Sequence, residues 1–491
     1  MPLVQLSAGT KAFLARSHGL LIGKDWVTAN GGEPIGVINP ADGKTISAIG
    51  ESSSANVDMA VAAAREAFDN GPWPSMKPGE RAGIMFKIAA LMEQHAEEIA
   101  QLETVDNGKP INFARGEVLV SAGAIRYYAG WADKIHGGTH NVNMPGDYHV
   151  YTLKEPVGVV ALIVPWNYPL VMAAMKLGPA LAAGCTCILK PAEDTSLTAL
   201  RMGELMLEAG VPEGVVNIIT GLGRTVGAAL ASHKNVDKIS FTGSTVTGKA
   251  IAQIAAADLK KVSLELGGKS PNIIMDDANL AAAIPASAMG IFFNSGQTCT
   301  APSRLYVHES VADQVVEGIA AVGNSIKIGP GLDEASQMGP LVSQKQFDRV
   351  GRYIAAGRSE GGEVIGGDRQ GTEGFFIKPT IINQTRNDMT VVREEIFGPV
   401  LVVQTFADAD EAMRLANDSD YGLAAAIWTE NLGQAHRMAK GIKSGIVGLN
   451  TVMGADWDVP LGGYKQSGIG RENGRDGLEL YLQTKSVFTA I

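Results

Sequence analysis

Residues 157–266 contain short apolar runs separated by alanine-rich helical segments. The runs are VGVVALIV, CTCILK, GVVNIIT, DKISFTG and KVSLEL. Short buried strands that alternate with helices favour a parallel sheet covered on both faces. In such a doubly wound α/β arrangement, dinucleotides bind at the carboxyl ends of the strands. The turns that follow these runs are therefore the first place to look for a binding site.

A second alternating series runs from about residue 267 to 450 and includes LAAAIWT and GIVGLN. It predicts a second α/β domain. Two further segments look like amphipathic strands outside both sheets: HVYTLKEP at 149–156 and KSVFTAI at the C-terminal end. Edge strands of this kind often pair across an oligomer interface.

Two helices are predicted before the first sheet. Asn56 is a plausible N-cap, and the apolar residues after it repeat at helical spacing: Val57, Val61, Ala64 and Phe68. A longer helix is predicted from Arg81 to Val105.

Composition narrows the classes of function. A chain of 491 residues with a net charge of −10 and no basic run argues against nucleic acid as a partner. The N-terminal segment has no continuous apolar core of a signal peptide, and the longest apolar run is too short to span a bilayer. Three cysteines form no disulfide framework and fit a reducing compartment. We expect a cytoplasmic protein without a membrane partner.

Glycines follow the strand GVVNIIT, at Gly221, Gly223 and Gly227, where a helix should begin. Such a turn lets backbone approach a phosphate at a helix N-terminus, although glycine is also used there for steric reasons alone. Lys190 and Glu193 follow another strand of the same sheet. They are candidates to hold ribose hydroxyls, with a solvated turn as the alternative.

Cys299 lies in FFNSGQTCTAPSR, among small and polar residues. A structural cysteine usually has apolar neighbours, so this setting favours an accessible nucleophile. Cys185 and Cys187, in an apolar strand, are expected to pack in the core.

Glu265 ends an apolar strand, immediately before two glycines. A carboxylate there is either buried with a raised pKa, which suits a general base, or an outward-facing strand residue. Asn167 sits between Pro165 and Pro169 in a rigid turn. Its amide could donate to an oxyanion, but asparagine is also common in turns. No metal-ligand spacing is visible, so no catalytic metal is predicted.

Taken together and in order, these segments resemble the aldehyde dehydrogenase superfamily over essentially the whole chain. The matching motifs are PWNYP at 165–169, KPAE at 190–193, FTGST at 241–245, LELGGKSP at 264–271, GQTC at 296–299, EEIFGPV at 394–400 and PLGGYKQSGIGRE at 460–472.

The resemblance implies Cys299 as nucleophile and Glu265 as general base. It implies an oxyanion hole made by Asn167 and the Cys299 backbone N–H. Lys176 and Glu472 match positions that relay protons from the base in relatives.

NAD is the implied cofactor, and NADP is expected to be weaker because Glu193 would repel a 2′-phosphate. Lys190 and Glu193 are implied at the adenosine ribose, Gly223, Gly227 and Ser244 at the pyrophosphate, and Glu395 and Phe397 at the nicotinamide side. Further implied cofactor contacts are Val164, Pro165, Trp166, Phe241, Gly243 and Leu266.

The N-terminal segment, the helix LMEQHAEEIAQLETVDNGKPI and EPVGVVALIVPWNYPL look similar to phenylacetaldehyde-type enzymes. An uncharged arylalkyl or terpenoid aldehyde is therefore the expected substrate, oxidised to its acid through a thiohemiacetal and a hydrolysed thioester. The implied tunnel residues are mostly apolar: Tyr168, Val171, Met175, Phe293, Met453, Ala455 and Leu461. Leu461 replaces the Phe common in relatives, which would widen the tunnel.

Two alternatives remain: a betaine-aldehyde or semialdehyde dehydrogenase, and, from another class, a non-catalytic nucleotide-binding structural protein. The family fold implies an NAD-binding Rossmann-type domain at 1–134 and 157–266. It also implies a catalytic α/β domain at 267–467 and bridging oligomerisation strands at 135–156 and 468–491. A homotetramer or homodimer is expected.

Overall fold

The computed structural model describes residues 3–452, 454 and 456–491. Its helices are α1 Ala8–Leu14, α2 Ser54–Asp69, α3 Pro78–Gln94, α4 Ala96–Asn107, α5 Ile111–Ala129, α6 Pro169–Ala183, α7 Leu197–Ala209, α8 Ala228–Ser232, α9 Thr245–Ala256, α10 Leu280–Phe292, α11 Ala312–Ser325, α12 Gln344–Ser359, α13 Thr390–Arg393, α14 Ala409–Asn417, α15 Leu432–Gly441 and α16 Gly474–Glu479.

The strands are β1 Leu20–Ile22, β2 Asp25–Val27, β3 Ile35–Asn39, β4 Lys44–Ile49, β5 Thr139–His140, β6 Tyr148–Pro156, β7 Val159–Ile163, β8 Thr186–Lys190, β9 Val216–Ile218, β10 Lys238–Thr242, β11 Lys261–Glu265, β12 Pro271–Ile274, β13 Arg304–His308, β14 Glu363–Gly366, β15 Thr380–Asn383, β16 Val400–Phe406, β17 Tyr421–Gly422, β18 Ala424–Trp428, β19 Ile446–Leu449, β20 Tyr464–Lys465, β21 Gly468–Ile469 and β22 Leu482–Ala490.

The apolar runs at 157–266 form the predicted parallel sheet, in the order β9-β8-β7-β10-β11. The chain reverses its direction of strand addition between β7 and β10, which is the point where doubly wound sheets bind ligands. Apolar clusters cover both faces of the sheet. Cys185 and Cys187 are fully buried, so their predicted place in the core is confirmed.

A second sheet has the order β14-β15-β16-β13-β12-β18-β19, and it is parallel except for the edge strand β14. The predicted α/β fold with two such sheets is confirmed. The chain passes from the carboxyl end of β11 to the amino end of β12 in only a few residues. The carboxyl edge of the first sheet therefore meets the amino edge of the second, and this junction is where the site lies.

The two peripheral segments pair with each other. β22 runs antiparallel to β6 along its whole length, and β5 completes this small separate sheet. Residues 468–469, at the start of the predicted bridging segment 468–491, form β21, which pairs antiparallel with β11. Within the described ranges, no helix combines the length and the apolar character needed to cross a membrane.

Two helix predictions are wrong in detail. Helix α2 is capped by Ser53, whose hydroxyl accepts from the Asn56 N–H at 3.2 Å, while the Asn56 side chain accepts from the Ser53 N–H at 3.1 Å. Asn56 thus closes a reciprocal capping pair from inside the first turn. The helix predicted over residues 81–105 is two helices, because the backbone of His95 leaves the helical range (φ −101°, ψ 19°). The break lets α3 and α4 each pack against α5 and α7.

Candidate active site at the junction of the two sheets

The loop that carries Cys299 joins α10 to β13 and has an unusual backbone. Asn294, Ser295 and Gly296 all have positive φ, of 49°, 55° and 70°. A Cβ on Gly296 would lie 2.0 Å from the Gly398 carbonyl oxygen, so only glycine fits there. The Ser295 hydroxyl donates to the Gly339 carbonyl at 2.8 Å, which anchors the loop. A strained conformation held by its surroundings is typical of functional sites.

Asn167 is tied directly to this loop. It lies in the turn between β7 and α6, and its side-chain Nδ2 donates to the Gln297 carbonyl at 2.8 Å. In return, the Asn294 Nδ2 donates to the Asn167 carbonyl at 3.1 Å. The structure therefore brings together Asn167 and the segment leading to Cys299, 130 residues apart in sequence.

The Cys299 side chain is half-buried, in contrast to the other two cysteines. Its burial, together with the nearby carboxylates of Glu265 and Glu395, raises the pKa of the thiol to about 12. The resting thiol is thus protonated at neutral pH, and nucleophilic attack requires a base nearby.

Glu265 is buried at the carboxyl end of β11, which decides between its two sequence interpretations. Its Oε1 has no hydrogen-bond partner among the residues that the structure describes. Burial raises the pKa of Glu265 well above its usual range, and the neighbouring Glu472 carboxylate adds to the effect. A Cβ on Gly462 would lie 2.8 Å from this oxygen, so the glycine leaves room for the carboxylate.

Lys176 and Glu472 form a buried ion pair beside Glu265. Ser240 joins them: its hydroxyl accepts from Lys176 Nζ at 3.0 Å and donates to Glu472 Oε1 at 3.2 Å. Two backbone hydrogen bonds of 2.7 Å between Glu472 and Leu461 hold the Glu472 segment in place. Ser240 is not predictable from the sequence, because a serine inside an apolar strand carries no distinctive signal.

Lys190 and Glu193 lie at the carboxyl end of β8 and form an ion pair of 3.2 Å. Burial alone would raise the pKa of Glu193, but the Lys190 ammonium and backbone N–H groups lower it overall. Glu193 is therefore a carboxylate at neutral pH. Its side chain is partly exposed, so it can accept hydrogen bonds from a ligand.

The glycine turn after β9 forms a π-helical turn, Gly223–Gly227, that leads into α8. A Cβ on Gly223 or Gly227 would meet open space. The Glu51 carboxylate accepts from the Leu222 N–H at 3.0 Å and fixes the start of the turn. After β10, Ser244 caps α9 by accepting from the Thr247 N–H at 3.3 Å.

The remaining residues assigned to the cofactor frame this same carboxyl edge of the first sheet. Val164, Phe241 and Leu266 are buried at strand ends, with Gly243 following β10, while Pro165 and Trp166 are partly exposed. Leu266 packs closely on α9, since a Cβ on Gly248 would lie 2.4 Å from it.

Glu395 and Phe397 approach from the second sheet, just before β16. Glu395 Oε1 accepts from the Gly268 N–H at 2.9 Å, and burial raises the pKa of Glu395 to about 7. The ring of Phe397 meets Trp166 edge-on at 5.2 Å between centroids. The segment that contains Phe397 therefore packs against the turn after β7.

Two residues of α12 hold this segment and were missed by the sequence analysis. Gln346 Nε2 donates to the Phe397 carbonyl and Arg349 Nη2 donates to the Glu395 carbonyl, both at 2.6 Å. They lie about 50 residues before their partners, so a single sequence offers no signal for the contact.

Two of the implied tunnel residues, Tyr168 and Phe293, lie at the Cys299 loop. Val171 and Met175 follow Tyr168 on one face of α6 and are buried, and Leu461 is half-buried. The Tyr168 hydroxyl hydrogen-bonds the Thr298 hydroxyl at 2.7 Å. Phe293 packs against the ring of Phe113, a residue that the sequence analysis did not name, at 4.7 Å between centroids. Met453 and Ala455 lie outside the described residues.

Among the residues that the structure describes, no group of three or more His, Cys, Asp or Glu side chains is placed to hold a metal ion. The arrangement instead offers a thiol, an amide donor, a buried carboxylate and an open glycine turn. These groups can attack a carbonyl, stabilise an oxyanion, move a proton and hold a nucleotide.

The chain is similar to known aldehyde dehydrogenases over nearly all of its length. Residues 26–487 match the model of the aldehyde dehydrogenase family. An aldehyde dehydrogenase of Emericella nidulans is 48% identical over 96% of this chain and 94% of its own length. The NAD+ complex of an aldehyde dehydrogenase from Bacillus cereus has a TM-score of 0.98 at 46% identity and covers all of both chains.

A third similar structure is an indole-3-acetaldehyde dehydrogenase of P. syringae, a mutant form in complex with NAD+ and IAA. It has a TM-score of 0.95 at 41% identity and covers 98% of this chain and 99% of its own. Matches of this length and identity leave one conclusion: the chain belongs to the aldehyde dehydrogenase family.

Proposed function

We propose that this protein oxidises an uncharged, hydrophobic aldehyde to its carboxylic acid with NAD, using Cys299 as the nucleophile. The observation that carries the proposal is the convergence of three groups at the junction of the sheets. The Cys299 loop is hydrogen-bonded to Asn167. It also packs against the segment that follows the buried Glu265, since a Cβ on Gly268 would lie 2.3 Å from the Cys299 carbonyl oxygen.

The first sheet fits a dinucleotide. Glu193 is a partly exposed carboxylate beside Lys190, at the place where ribose hydroxyls are held in such folds. Open space next to Gly223 and Gly227 leaves room for a pyrophosphate at the start of α8. Bound NAD supplies the hydride acceptor of the reaction. Glu395 and Phe397, held by α12, flank the junction where the nicotinamide end would lie.

Cys299 attacks the aldehyde carbon, and a carbon–sulfur bond forms while the carbonyl oxygen takes up negative charge. Asn167 can stabilise that oxygen. Its Nδ2 carries two protons, of which one is donated to the Gln297 carbonyl and the other remains for the substrate. The Cys299 backbone N–H is the second proposed donor.

Glu265 acts as the general base. Its raised pKa makes it a stronger base than an exposed glutamate, so it can take the thiol proton. When the carbonyl re-forms, the substrate carbon loses its hydride, for which bound NAD would be the acceptor, and the thiohemiacetal becomes a thioester. Glu265 can then take a proton from the water that attacks the thioester. The Lys176–Glu472 pair beside it is placed to carry these protons away. Hydrolysis then releases the acid and restores the Cys299 thiol.

The described tunnel residues support an uncharged substrate. Val171 and Met175 are apolar, and the Tyr168 hydroxyl is already paired with Thr298. The carboxylate of Glu117, near Tyr168, is ion-paired with Lys109 and is not free to bind a cationic aldehyde. The similar P. syringae protein is named for an arylalkyl aldehyde.

Assembly as a homodimer or homotetramer is part of the proposal. β22 lies at the edge of its sheet, and Phe488 and Ile491 near its end are exposed. An open edge strand with apolar side chains suits pairing with a second copy.

The division of the chain into three parts is also proposed. These are an NAD-binding domain at 1–134 and 157–266, a catalytic domain at 267–467, and a bridging region at 135–156 and 468–491. A cytoplasmic location suits a nucleophile that must stay a free thiol.

Replacing Glu265 by Gln should stop the cycle after one turnover. We expect steady-state NADH production to fall about 10²- to 10⁴-fold, as for loss of a general base, while a burst of up to one NADH per Cys299 remains but rises more slowly, because the thiol proton has also lost its acceptor. Cys299→Ala should abolish the burst as well. Cys185→Ala, which removes a buried core thiol, is the control and should keep turnover. Stopped-flow absorbance measures all variants; steady turnover by Glu265→Gln at the wild-type rate would contradict the assignment.

The activity should rise with pH through the neutral range. The pKa of Glu265 is raised, so its proton is lost and the base becomes available only as the pH increases. A pH profile of kcat should therefore climb toward alkaline pH in the wild type and lose this limb in Glu265→Gln. A wild-type kcat that falls on raising the pH from about 6 to about 8 would be inconsistent with this role.

Glu193→Gln should narrow the preference for NAD over NADP. Removing the carboxylate removes its repulsion of a 2′-phosphate, and we expect the ratio of kcat/KM values to shrink about tenfold. Glu208→Gln, at an exposed position near the end of α7, is the matched control. An unchanged ratio in Glu193→Gln would refute the ribose assignment.

A panel of aldehydes tests the substrate class. Phenylacetaldehyde should exceed acetaldehyde and betaine aldehyde in kcat/KM, because the described tunnel residues offer apolar contact and the Glu117 carboxylate near Tyr168 is paired with Lys109. Betaine aldehyde in first place would favour the betaine-type alternative. If no aldehyde yields NADH, the protein would instead be a non-catalytic nucleotide-binding member of the family.

A further inference from the structure

Lys109 is a fully buried lysine with no role in the proposed chemical steps. It follows Gly108 at the junction of α4 and α5, and 1% of its side chain is exposed. Its Nζ lies 3.1 Å from Glu103 Oε1, 2.5 Å from Glu117 Oε2 and 3.2 Å from the carbonyl oxygen of Asn167. An ammonium has three protons, and these contacts use all of them.

The hydrogen-bond partners of Lys109 favour its charged form. Burial opposes the charged form, but the carboxylates of Glu117 and Glu103 raise the pKa of Lys109 above its ordinary value. An ion cluster that only linked α4 to α5 would need no further acceptor. The third proton instead reaches the turn after β7, and the ammonium also lies 4.7 Å from the centre of the Tyr168 ring.

The Asn167 carbonyl receives a second donor, Asn294 Nδ2, from the Cys299 loop. The last turn of α4 also holds the preceding peptide, because Asn107 Nδ2 donates to the Trp166 carbonyl at 2.7 Å. With two successive carbonyls fixed, the backbone of Asn167 has little freedom to rotate. Its side-chain amide is then held in one direction, with a single proton donated to Gln297.

We propose that Lys109 is a positioning residue for oxyanion stabilisation, acting through the Asn167 backbone. This inference rests on the proposed role of Asn167. Lys109 does not touch the reacting atoms. It supplies a charged, fully desolvated hydrogen bond that keeps the amide aimed at the site where the oxyanion forms, and small misplacements of such donors are costly.

A double-mutant cycle of Lys109→Met and Asn167→Ala tests this. In the wild-type background, Lys109→Met should lower kcat/KM for phenylacetaldehyde about 10- to 100-fold with an unchanged KM for NAD. In the Asn167→Ala background, the same change should cost less than about twofold, because the residue acts through a donor already removed. An equal loss in both backgrounds, or no loss in the wild type, would overturn the proposal.

The cycle also separates the two hypotheses. If Asn167→Ala retains full kcat/KM, the proposed oxyanion role itself fails. If Asn167→Ala is impaired but Lys109→Met adds its full loss on top, only the inference about Lys109 fails.

Two further variants guard against a folding defect. The triple variant that combines Lys109→Met with Glu103→Gln and Glu117→Gln leaves no unpaired charge in the cluster. If Lys109→Met alone fails to fold, the double-mutant cycle is repeated with this triple variant. Lys260→Met is the matched control: Lys260 is also buried and ion-paired, to Asp258 at 2.9 Å, but it precedes β11 at the opposite end from Glu265. It should keep wild-type kcat/KM. Loss in Lys260→Met equal to that in Lys109→Met would indicate a general structural effect and refute the proposal.

Discussion

The hydrogen bond from the Asn167 side chain to the Gln297 carbonyl joins the two halves of the site. One partner follows a strand of the first sheet, and the other belongs to the loop before the second sheet's β13. Because the carboxyl edge of the first sheet faces the amino edge of the second, a nucleotide held by one sheet and a thiol carried by the other can meet. The rest of the site depends on keeping this junction closed.

Several features around that contact lower the stability of the fold, and most of them are compensated by interactions with neighbouring groups. The left-handed backbone at Asn294–Gly296 is held by hydrogen bonds to Asn167 and Gly339. Burial of Lys109 is offset by two carboxylates. Glu265 is the exception, since one of its buried oxygens has no hydrogen-bond partner within the described part of the chain. An unsatisfied buried carboxylate destabilises the fold but raises the basicity that the proposed chemistry requires.

Local pattern was sufficient for the strands and insufficient for some helix limits. The short apolar runs were sufficient to predict the first sheet, because a short strand that is buried on both faces can be recognised from its apolar composition alone. The helix over residues 81–105 was predicted as continuous because the break at His95 serves packing against α5 and α7, which lie elsewhere in the chain. Asn56 was identified as a capping residue, but its partner Ser53, and hence the helix start, depended on the geometry of both side chains.

The sequence alone determined the family, the two α/β units and the identity of the candidate nucleophile, base and amide, because these depend on residue type within short motifs. Tertiary structure decided what surrounds them: that Glu265 is buried, that Ser240 joins the Lys176–Glu472 pair, and that Gln346 and Arg349 hold the Glu395 segment. It also brought the Lys109 ammonium within hydrogen-bond distance of the Asn167 carbonyl. These contacts join residues far apart in the chain, and only the packing of one element on another, which no local pattern encodes, brings them within hydrogen-bond distance.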